Sequence, residues 1–520
     1  MTKSGTTRLA SACIVAALLV VAPGCYASHR LPEHDLGSPV DLGPPLDLDP
    51  PIDLGPLGCT TSAECATMEV CTDRVCACAP SATRCDGRCT DFTSDPMNCG
   101  ACGIHVGEAC ASGVGECERR GVFSSCVAGT LACDAVPGMP IRESCNGVDD
   151  DCDGSVDDGC IVTGLAASSA HTCARRAGGD VVCWGRNYDG ELGDGDYAGR
   201  LAPTFVYGLV DAVELEAGHA HTCARRSAGD VVCWGRNWNG ELGDGTRTHH
   251  VTPTLVTGLT GAVELSVGGG HTCARRSSGE VVCWGNNGYG QLGDGTTSYR
   301  LAPTLVTGLR DAVELSAGSN HTCARRRAGD VVCWGNNSYG QLGDGTTTNR
   351  LTPTPVDGLT NAVELAAGGM FGEYDEFAHT CARRSSGDVV CWGNNDSGQL
   401  GDGTTTERLT PTRVTDLSDA AEVSAGARHT CARRASGAVV CWGSNDWSQL
   451  GDGTDGLDAR RLTPTPVYGL TDAVEVSAGT YHTCARLTSG AVACWGSNSW
   501  GELGDGTVST RLTPTSVVGL

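Results

Sequence analysis

The chain has 520 residues, a formal net charge of −25, 74 glycines, 32 cysteines and only 5% aromatic residues. The length allows two to four domains and an ample core. Acidity without a basic tail argues against nucleic-acid binding through a broad positive field, and the weight of glycine and turn residues without helical heptads argues against a helical protein.

At the N-terminus, Lys3 and Arg8 precede an apolar run from Leu9 to Val21. The run is too short to span a membrane and has the length of a signal sequence. It ends in Ala22-Pro23-Gly24-Cys25, which resembles a bacterial lipoprotein processing box. That resemblance implies acylation of Cys25, with ordinary signal cleavage nearby as the alternative. Tyr26, rather than Asp, follows the cysteine, which under the usual lipoprotein sorting pattern permits delivery to the outer membrane. Residues 26–58 repeat Pro, Asp, Leu and Gly, as in DLGPPLDLDPPIDLGP. Regular proline excludes helix and sheet, so this is a semi-rigid spacer that reaches up to roughly 100 Å, or a disordered linker with no reach requirement.

Sixteen cysteines lie between Cys59 and Cys160 with almost no apolar periodicity. Such a segment is held by cross-links or metal rather than by a core. Cys99 and Cys102 form a CxxC pair, for which disulfides are favoured over zinc in an exported chain. The segment ends in ESCNGVDDDCDGSVDDGC, which resembles a metal-binding motif of bacterial surface proteins. Asp149, Asp151, Asp153 and Asp157 start like a calcium loop, DxDxDG, with hard oxygen ligands converging. Cys160 stands where an EF-hand places its closing Glu, so weak calcium binding and a merely acidic turn both remain open.

From residue 161 a repeat dominates. HTCAR begins at His171, His221, His271, His321, His379, His429 and His482, a period near 50 residues of the kind shown by propellers and solenoids. Each unit offers four short strand candidates, such as VELSA, HTCARR, VVCWG and TPTPV, separated by glycine-rich turns. Four strands per unit make one propeller blade. WGxNxxGQLG after an HTCA strand and before TPxxV resembles the regulator of chromosome condensation repeat. That family implies a seven-bladed propeller over residues 161–520 and says little about activity, since one fold hosts many roles. The fold class expected is therefore all-β: a seven-bladed β-propeller preceded by a small disulfide-rich segment (59–160) and a Pro-rich linker.

Within each unit two cysteines stand ten apart: Cys173 and Cys183, Cys223 and Cys233, Cys273 and Cys283, Cys323 and Cys333, Cys381 and Cys391, Cys431 and Cys441, and Cys484 and Cys494. A hairpin between them places each pair directly opposite, within disulfide range. Seven disulfides are expected, one inside each blade, with paired reduced core cysteines as the alternative. The same register sets Arg176 opposite Asp180, Arg226 opposite Asp230, Arg276 opposite Glu280, Arg326 opposite Asp330 and Arg384 opposite Asp388 as charge pairs. The repeated His, the Asp of LGDG and the Trp of CWG read as a strand-start hydrogen-bonder, a turn-closing residue and blade-packing core.

A residue repeated seven times serves the scaffold, so function is sought where units differ. Unit five carries an insertion, Met370 to Phe377, and unit six has three extra residues around Asp455–Asp458. The loop tips before GQLG or GELG also vary, with Trp238, Trp447 and Trp500 among them. The first and third loops of each blade share one propeller face, so Phe371, Tyr374, Phe377, Trp238, Trp447 and Trp500 form a candidate binding face for an extracellular protein or glycan. No GxSxG, HExxH or Walker motif occurs, and no catalytic residues are assigned. The function expected is a non-enzymatic surface lipoprotein. It meets the membrane only through a lipid anchor, lies on the extracellular side of the outer membrane or is otherwise secreted, and takes calcium as its one candidate cofactor. A carbohydrate-active propeller enzyme and, by family analogy, a guanine-nucleotide exchange factor are the rivals.

Overall fold

Each fifty-residue unit alternates β-branched and aromatic residues with glycine turns, and in the computed structural model each folds as one four-stranded antiparallel sheet. The structure describes residues 161–370 and 377–520, seven short strands between 69 and 133, and Glu143, Cys145, Asp149, Asp157, Gly159 and Cys160. The chain divides into two compact units, Met1–Thr90 and Asp91–Leu520. In the first, Glu69–Thr72 pairs with Val75–Cys78 and Thr83–Cys85 with Arg88–Thr90. In the second, a small sheet of Ala109–Ser112, Arg119–Val127 and Thr130–Cys133 is followed by seven blades spanning 162–205, 212–255, 262–305, 312–355, 362–413, 420–466 and 473–516. Every blade is built from consecutive strands, so the ring closes without strand exchange.

In the first blade, Val162–Ala167 pairs with His171–Arg176, then Val181–Gly185, then Arg200–Phe205. The hairpin between the second and third strands turns on Gly179 at φ +90°, a conformation that glycine adopts without a steric cost. This turn sets Cys173 opposite Cys183. All seven expected disulfides are present. Cys173 is bonded to Cys183, Cys223 to Cys233, Cys273 to Cys283, Cys323 to Cys333, Cys381 to Cys391, Cys431 to Cys441 and Cys484 to Cys494. In each the Cα atoms are 4.1 Å apart. The reduced alternative is thereby set aside. An eighth disulfide, Cys145 to Cys160, closes the acidic loop ahead of the propeller.

The expectation of a cross-link inside each blade needs one refinement. Each cystine joins two strands of a single blade, but its fully buried sulfurs pack into the interface with the next blade. Cys173 and Cys183 pack with Leu215, Val232 and Trp234 of the second blade. Cys223 and Cys233 pack with Trp284, Cys273 and Cys283 with Trp334, and Cys323 and Cys333 with Trp392. Cys381 and Cys391 pack with Trp442, Cys431 and Cys441 with Trp495, and Cys484 and Cys494 with Trp184 of the first blade.

Blades are tied to one another by a repeated set of bonds. The indole Nε1–H of each buried Trp donates to the backbone carbonyl of the Gln or Glu in the GQLG, GELG or SQLG turn of the preceding blade, as Trp234 does to Glu191 at 2.9 Å and Trp334 to Gln291 at 2.9 Å. The Thr after each repeated His donates to that same carbonyl, as Thr222 does to Glu191 at 2.9 Å. The Thr hydroxyl gives its only proton to the carbonyl, so it accepts from the imidazole Nε2–H of the preceding blade. His171 reaches Thr222 at 2.9 Å, and six further links run around the ring to His482 and Thr172 at 2.8 Å. Burial lowers these imidazoles to a pKa of about 3 or 4, or well below 6.5 in His221. They stay neutral and serve as links between blades.

Closure between the last and first blades carries the full set. Besides His482–Thr172, Trp184 donates to the Glu502 carbonyl at 2.9 Å, Leu165 N to Glu475 at 2.9 Å and Ala167 N to Ser477 at 2.9 Å. The Asp of LGDG closes its own turn and also holds the residue that begins the fourth strand, an arginine in six blades and His250 in the second. Asp294 Oδ1 accepts from Thr296 N at 2.9 Å, and its Oδ2 accepts from Arg300 Nε at 2.8 Å.

The charge pairs flanking the hairpin turn need correction in one blade, the second. Arg276–Glu280, Arg326–Asp330 and Arg384–Asp388 form as expected. Arg226 instead bonds Asp211 at 2.8 Å, just before its blade's first strand. Arg176 is buried and donates to the carbonyls of Glu143 at 3.0 Å and Gly519 at 3.3 Å. The acidic loop docks at that point, and the Asp180 carboxylate still acts on the guanidinium.

Candidate binding face

The loops after the first strand and after the third strand of each blade meet on one face, as their contacts show. Trp447, at a third loop, lies 6.0 Å from Tyr481, at a first loop. Gln291 Nε2 likewise donates to Asn320 Oδ1 at 3.0 Å. At the axis the first loops surround an open cavity of about 90 Å³ lined mainly by Gly, Ala and Ser residues. Among the described residues His219 is its one ionisable lining residue; burial, then Arg236 and Arg186, lower it to about 3.

Around this cavity the sevenfold repeat breaks into two runs of aromatic and charged contacts. Phe377 ends the blade-five insertion and lies beneath Arg428, whose guanidinium is 3.6 Å from the ring centroid. Arg428 is 4.0 Å from the Asp446 carboxylate. Beside it the Tyr481 hydroxyl donates to the Met370 sulfur at 3.0 Å, and burial raises the Tyr481 pKa. The second run crosses the closure. Trp500 meets Tyr188 edge-on at 5.1 Å, Arg186 lies over Tyr188 at 5.8 Å, and Arg186 bonds Asp189 at 2.6 Å. Asp189 reaches His249 at 3.4 Å, and His249 packs on Trp238 at 5.1 Å. Blade seven carries both Tyr481 and Trp500, so the runs together form an arc from blade five to blade two.

The arc is open to solvent. Trp238 is 64% exposed, Tyr188 63%, Trp447 47% and Trp500 42%. The corresponding tips of blades four and five are Tyr339, half-buried, and Ser397, buried. Of the residues expected on this face, Trp238, Trp447, Trp500 and Phe377 are placed on it, while Phe371 and Tyr374 lie outside the described residues. The sequence reading missed Arg186, Asp189, His249, Arg428 and Tyr481, while Met370 belongs to the insertion it singled out. Arg428 and Tyr481 stand just before the repeated His, where other units have Ala, Gly or Asn, and that variation was a readable signal. The three extra residues of unit six form a single 3-10 turn, Leu457–Ala459.

Of the candidate calcium ligands, Asp149 is buried and Asp157 half-buried in the loop closed by Cys145–Cys160. Asp151 and Asp153 lie outside the described residues, as does Cys25. The Glu143 carboxylate accepts from Asp157 N at 3.1 Å and is thus engaged in holding the loop. Among the described residues no three His, Cys, Asp or Glu side chains gather around one point.

The Regulator of chromosome condensation (RCC1) repeat matches residues 178–225, 228–275, 278–325, 328–372, 386–433 and 436–486, more than half of the chain. A second form of the same repeat matches six segments that overlap these, beginning at residue 162. Among solved structures, yeast RCC1 (Prp20) bound to Kap60 is 21% identical, covering 68% of this chain and 85% of that one, with a TM-score of 0.57. Prp20p from Saccharomyces cerevisiae solved in a second study is 22% identical, covering 69% and 90%, with a TM-score of 0.57. Human WBSCR16 is 21% identical, covering 65% and 94%, with a TM-score of 0.56. At these identities the likeness speaks for the fold alone, and the repeats themselves establish that the chain belongs to the Regulator of chromosome condensation (RCC1) repeat family.

Proposed function

We propose that this chain is an exported, non-enzymatic binding scaffold whose first-and-third-loop face docks an extracellular protein. The observation that carries the reading is the arc from blade five to blade two, where exposed aromatics cluster on one face of an otherwise repeated ring. Aromatic and arginine side chains supply most of the energy at protein interfaces. Two of the structural neighbours concern protein binding: yeast Prp20 with Kap60, and Prp20p with Gsp1p and histones. Eight buried or loop-closing cystines support an oxidising compartment, in keeping with the apolar leader and Cys25. The surface of the outer membrane, reached through an acyl chain on Cys25, is the proposed location. A glycan surface is the second reading, favoured by the neighbouring aromatic rings of Tyr188 and Trp500.

The test is attachment of the full chain to host envelope protein and to purified glycans, before and after replacing Tyr188, Trp447 and Trp500 with Ala. The proposal expects loss of protein attachment at least tenfold. Loss of glycan attachment alone selects the second reading, and unchanged attachment to both refutes the face. Calcium at the 143–160 loop is a separate part of the proposal, in which Asp149 and Asp157 supply hard oxygen ligands. Calorimetric titration with calcium should show saturable binding that Asp149→Asn weakens.

A further inference from the structure

In six of seven blades a glutamate on the first strand joins two blades at the axis. One carboxylate oxygen takes a hydrogen bond from the arginine opposite it on the second strand. The distances are 2.7 Å for Arg225–Glu214, 2.6 Å for Arg325–Glu314 and 2.8 Å for Arg486–Glu475, and Arg275–Glu264, Arg383–Glu364 and Arg433–Glu422 repeat the pair. The other oxygen accepts from a backbone N–H of the next blade, such as Leu265 on Glu214 at 2.8 Å and Leu165 on Glu475 at 2.9 Å. The axis thus holds seven arginines and six bridging glutamates.

The missing glutamate belongs to blade one, where Gly164 pairs with Arg175 in the register that elsewhere pairs glutamate with arginine. Arg175 makes no ion pair among the described residues. Its one side-chain donation is from Nη2 to the Thr163 carbonyl at 3.3 Å. Across the interface Leu215 N–H occupies the position of the bridged donors, and Gly164 brings it no acceptor. Gly164 and Arg175 are both half-buried, so solvent reaches the gap. Glu216, the extra acid of blade two, lies one pleat further along its strand opposite Cys223 and forms no ion pair with Arg175.

We propose that this gap at the axial end of the interface between blades one and two binds a small free monocarboxylate of formate to propionate size. The bound anion takes the place of the absent glutamate, accepting from the Arg175 guanidinium with one oxygen and from Leu215 N–H with the other. Charge-assisted bonds from a guanidinium favour a carboxylate over a spherical anion because the fork geometries match.

The experiment titrates the full chain with carbon-13-labelled acetate, observed by NMR, at constant ionic strength set with chloride. The wild type should bind one acetate saturably. Arg175→Gln should weaken binding at least tenfold. Gly164→Glu should abolish it, because the built-in side chain fills the gap. Position 164 is not in the left-handed region, and an added Cβ would meet only the Arg175 side chain, at 3.7 Å from its Nε, so the backbone accepts a side chain there beside the guanidinium it is to pair with. Acetate should also raise the thermal midpoint of the wild type and leave that of Gly164→Glu unchanged. If Gly164→Glu fails to fold, Arg175→Gln decides alone. Absent saturation, equal binding to wild type and Arg175→Gln, or equal affinity for sulfate would overturn the proposal.

Discussion

Replacing Thr322 with Val tests how the blades are joined. The substitution keeps the shape of the side chain and removes its hydroxyl. In the native protein that hydroxyl accepts from His271 Nε2 at 2.8 Å and donates to the Gln291 carbonyl at 2.9 Å. The carbonyl keeps its bond from Trp334 Nε1 at 2.9 Å, so the loss on that side is about 1 kcal/mol. The imidazole N–H, fully buried, is left without an acceptor at a cost of roughly 1–3 kcal/mol. A small gain from burying a methyl group offsets part of this, giving a net destabilisation of about 2 kcal/mol. Guanidinium unfolding with the disulfides intact should show a lower midpoint at constant slope. Thr172→Val removes the same link at the closing interface, where His482 and the Glu502 carbonyl both lie at 2.8 Å. It should cost the same within about 0.5 kcal/mol, a difference within ordinary scatter between independent sites. A loss below about 0.5 kcal/mol in Thr322→Val, or a much smaller loss at Thr172, would refute the reading of one continuous histidine–threonine ring.

Stability should also fall in acid. The unfolded chain protonates its imidazoles near pH 6.5, whereas the folded ring resists protonation down to about 3 in His271 and His321 and about 4 in His379 and His482. Their contribution is therefore fully present above pH 6.5 and is lost as pH falls. Below that value the slope is about 1.4 kcal/mol per pH unit for each imidazole. Denaturant midpoints from pH 7 to 5 check this, and His321→Gln should remove about one proton from the slope; a flat profile contradicts it. Gly426→Ala should destabilise by about 2–3 kcal/mol by overpacking, because the added Cβ meets the Gly479 carbonyl at 2.4 Å. Ser168→Gly, at the equivalent place in blade one, should cost about 1 kcal/mol for the lost bond to His171 Nδ1. Peptide mapping of the unreduced chain should recover Cys173–Cys183 and its six counterparts as cystines, and free thiols there would contradict the cross-linked ring.

The blade plan was legible because its signals are local. The glycine of each hairpin turn and the ten-residue cysteine spacing lie on one hairpin, so the register of Cys173 and Cys183 follows from the turn. The bonds between blades were not legible. His171 and Thr222 are 51 residues apart, and every unit carries the same His-Thr pair, so the sequence does not distinguish a link within a blade from one between blades. The glutamate bridges were hidden for the same reason. The further partners of Arg176, the Glu143 and Gly519 carbonyls, were not legible because they come from segments that flank the ring. On the binding face the tips Trp238, Trp447 and Trp500 were visible as departures from the repeat, whereas the pairing of Trp447 with Tyr481 and Trp500 with Tyr188 required the closed ring.

The most direct test places a photo-crosslinking residue at position 188, 447 or 500 on the loop face, and at exposed Tyr207 or Tyr468 in the turns joining successive blades, in the chain expressed in its own host. The account predicts protein adducts from 188, 447 and 500 and none from 207 and 468. Adducts from the inter-blade turns alone would contradict it.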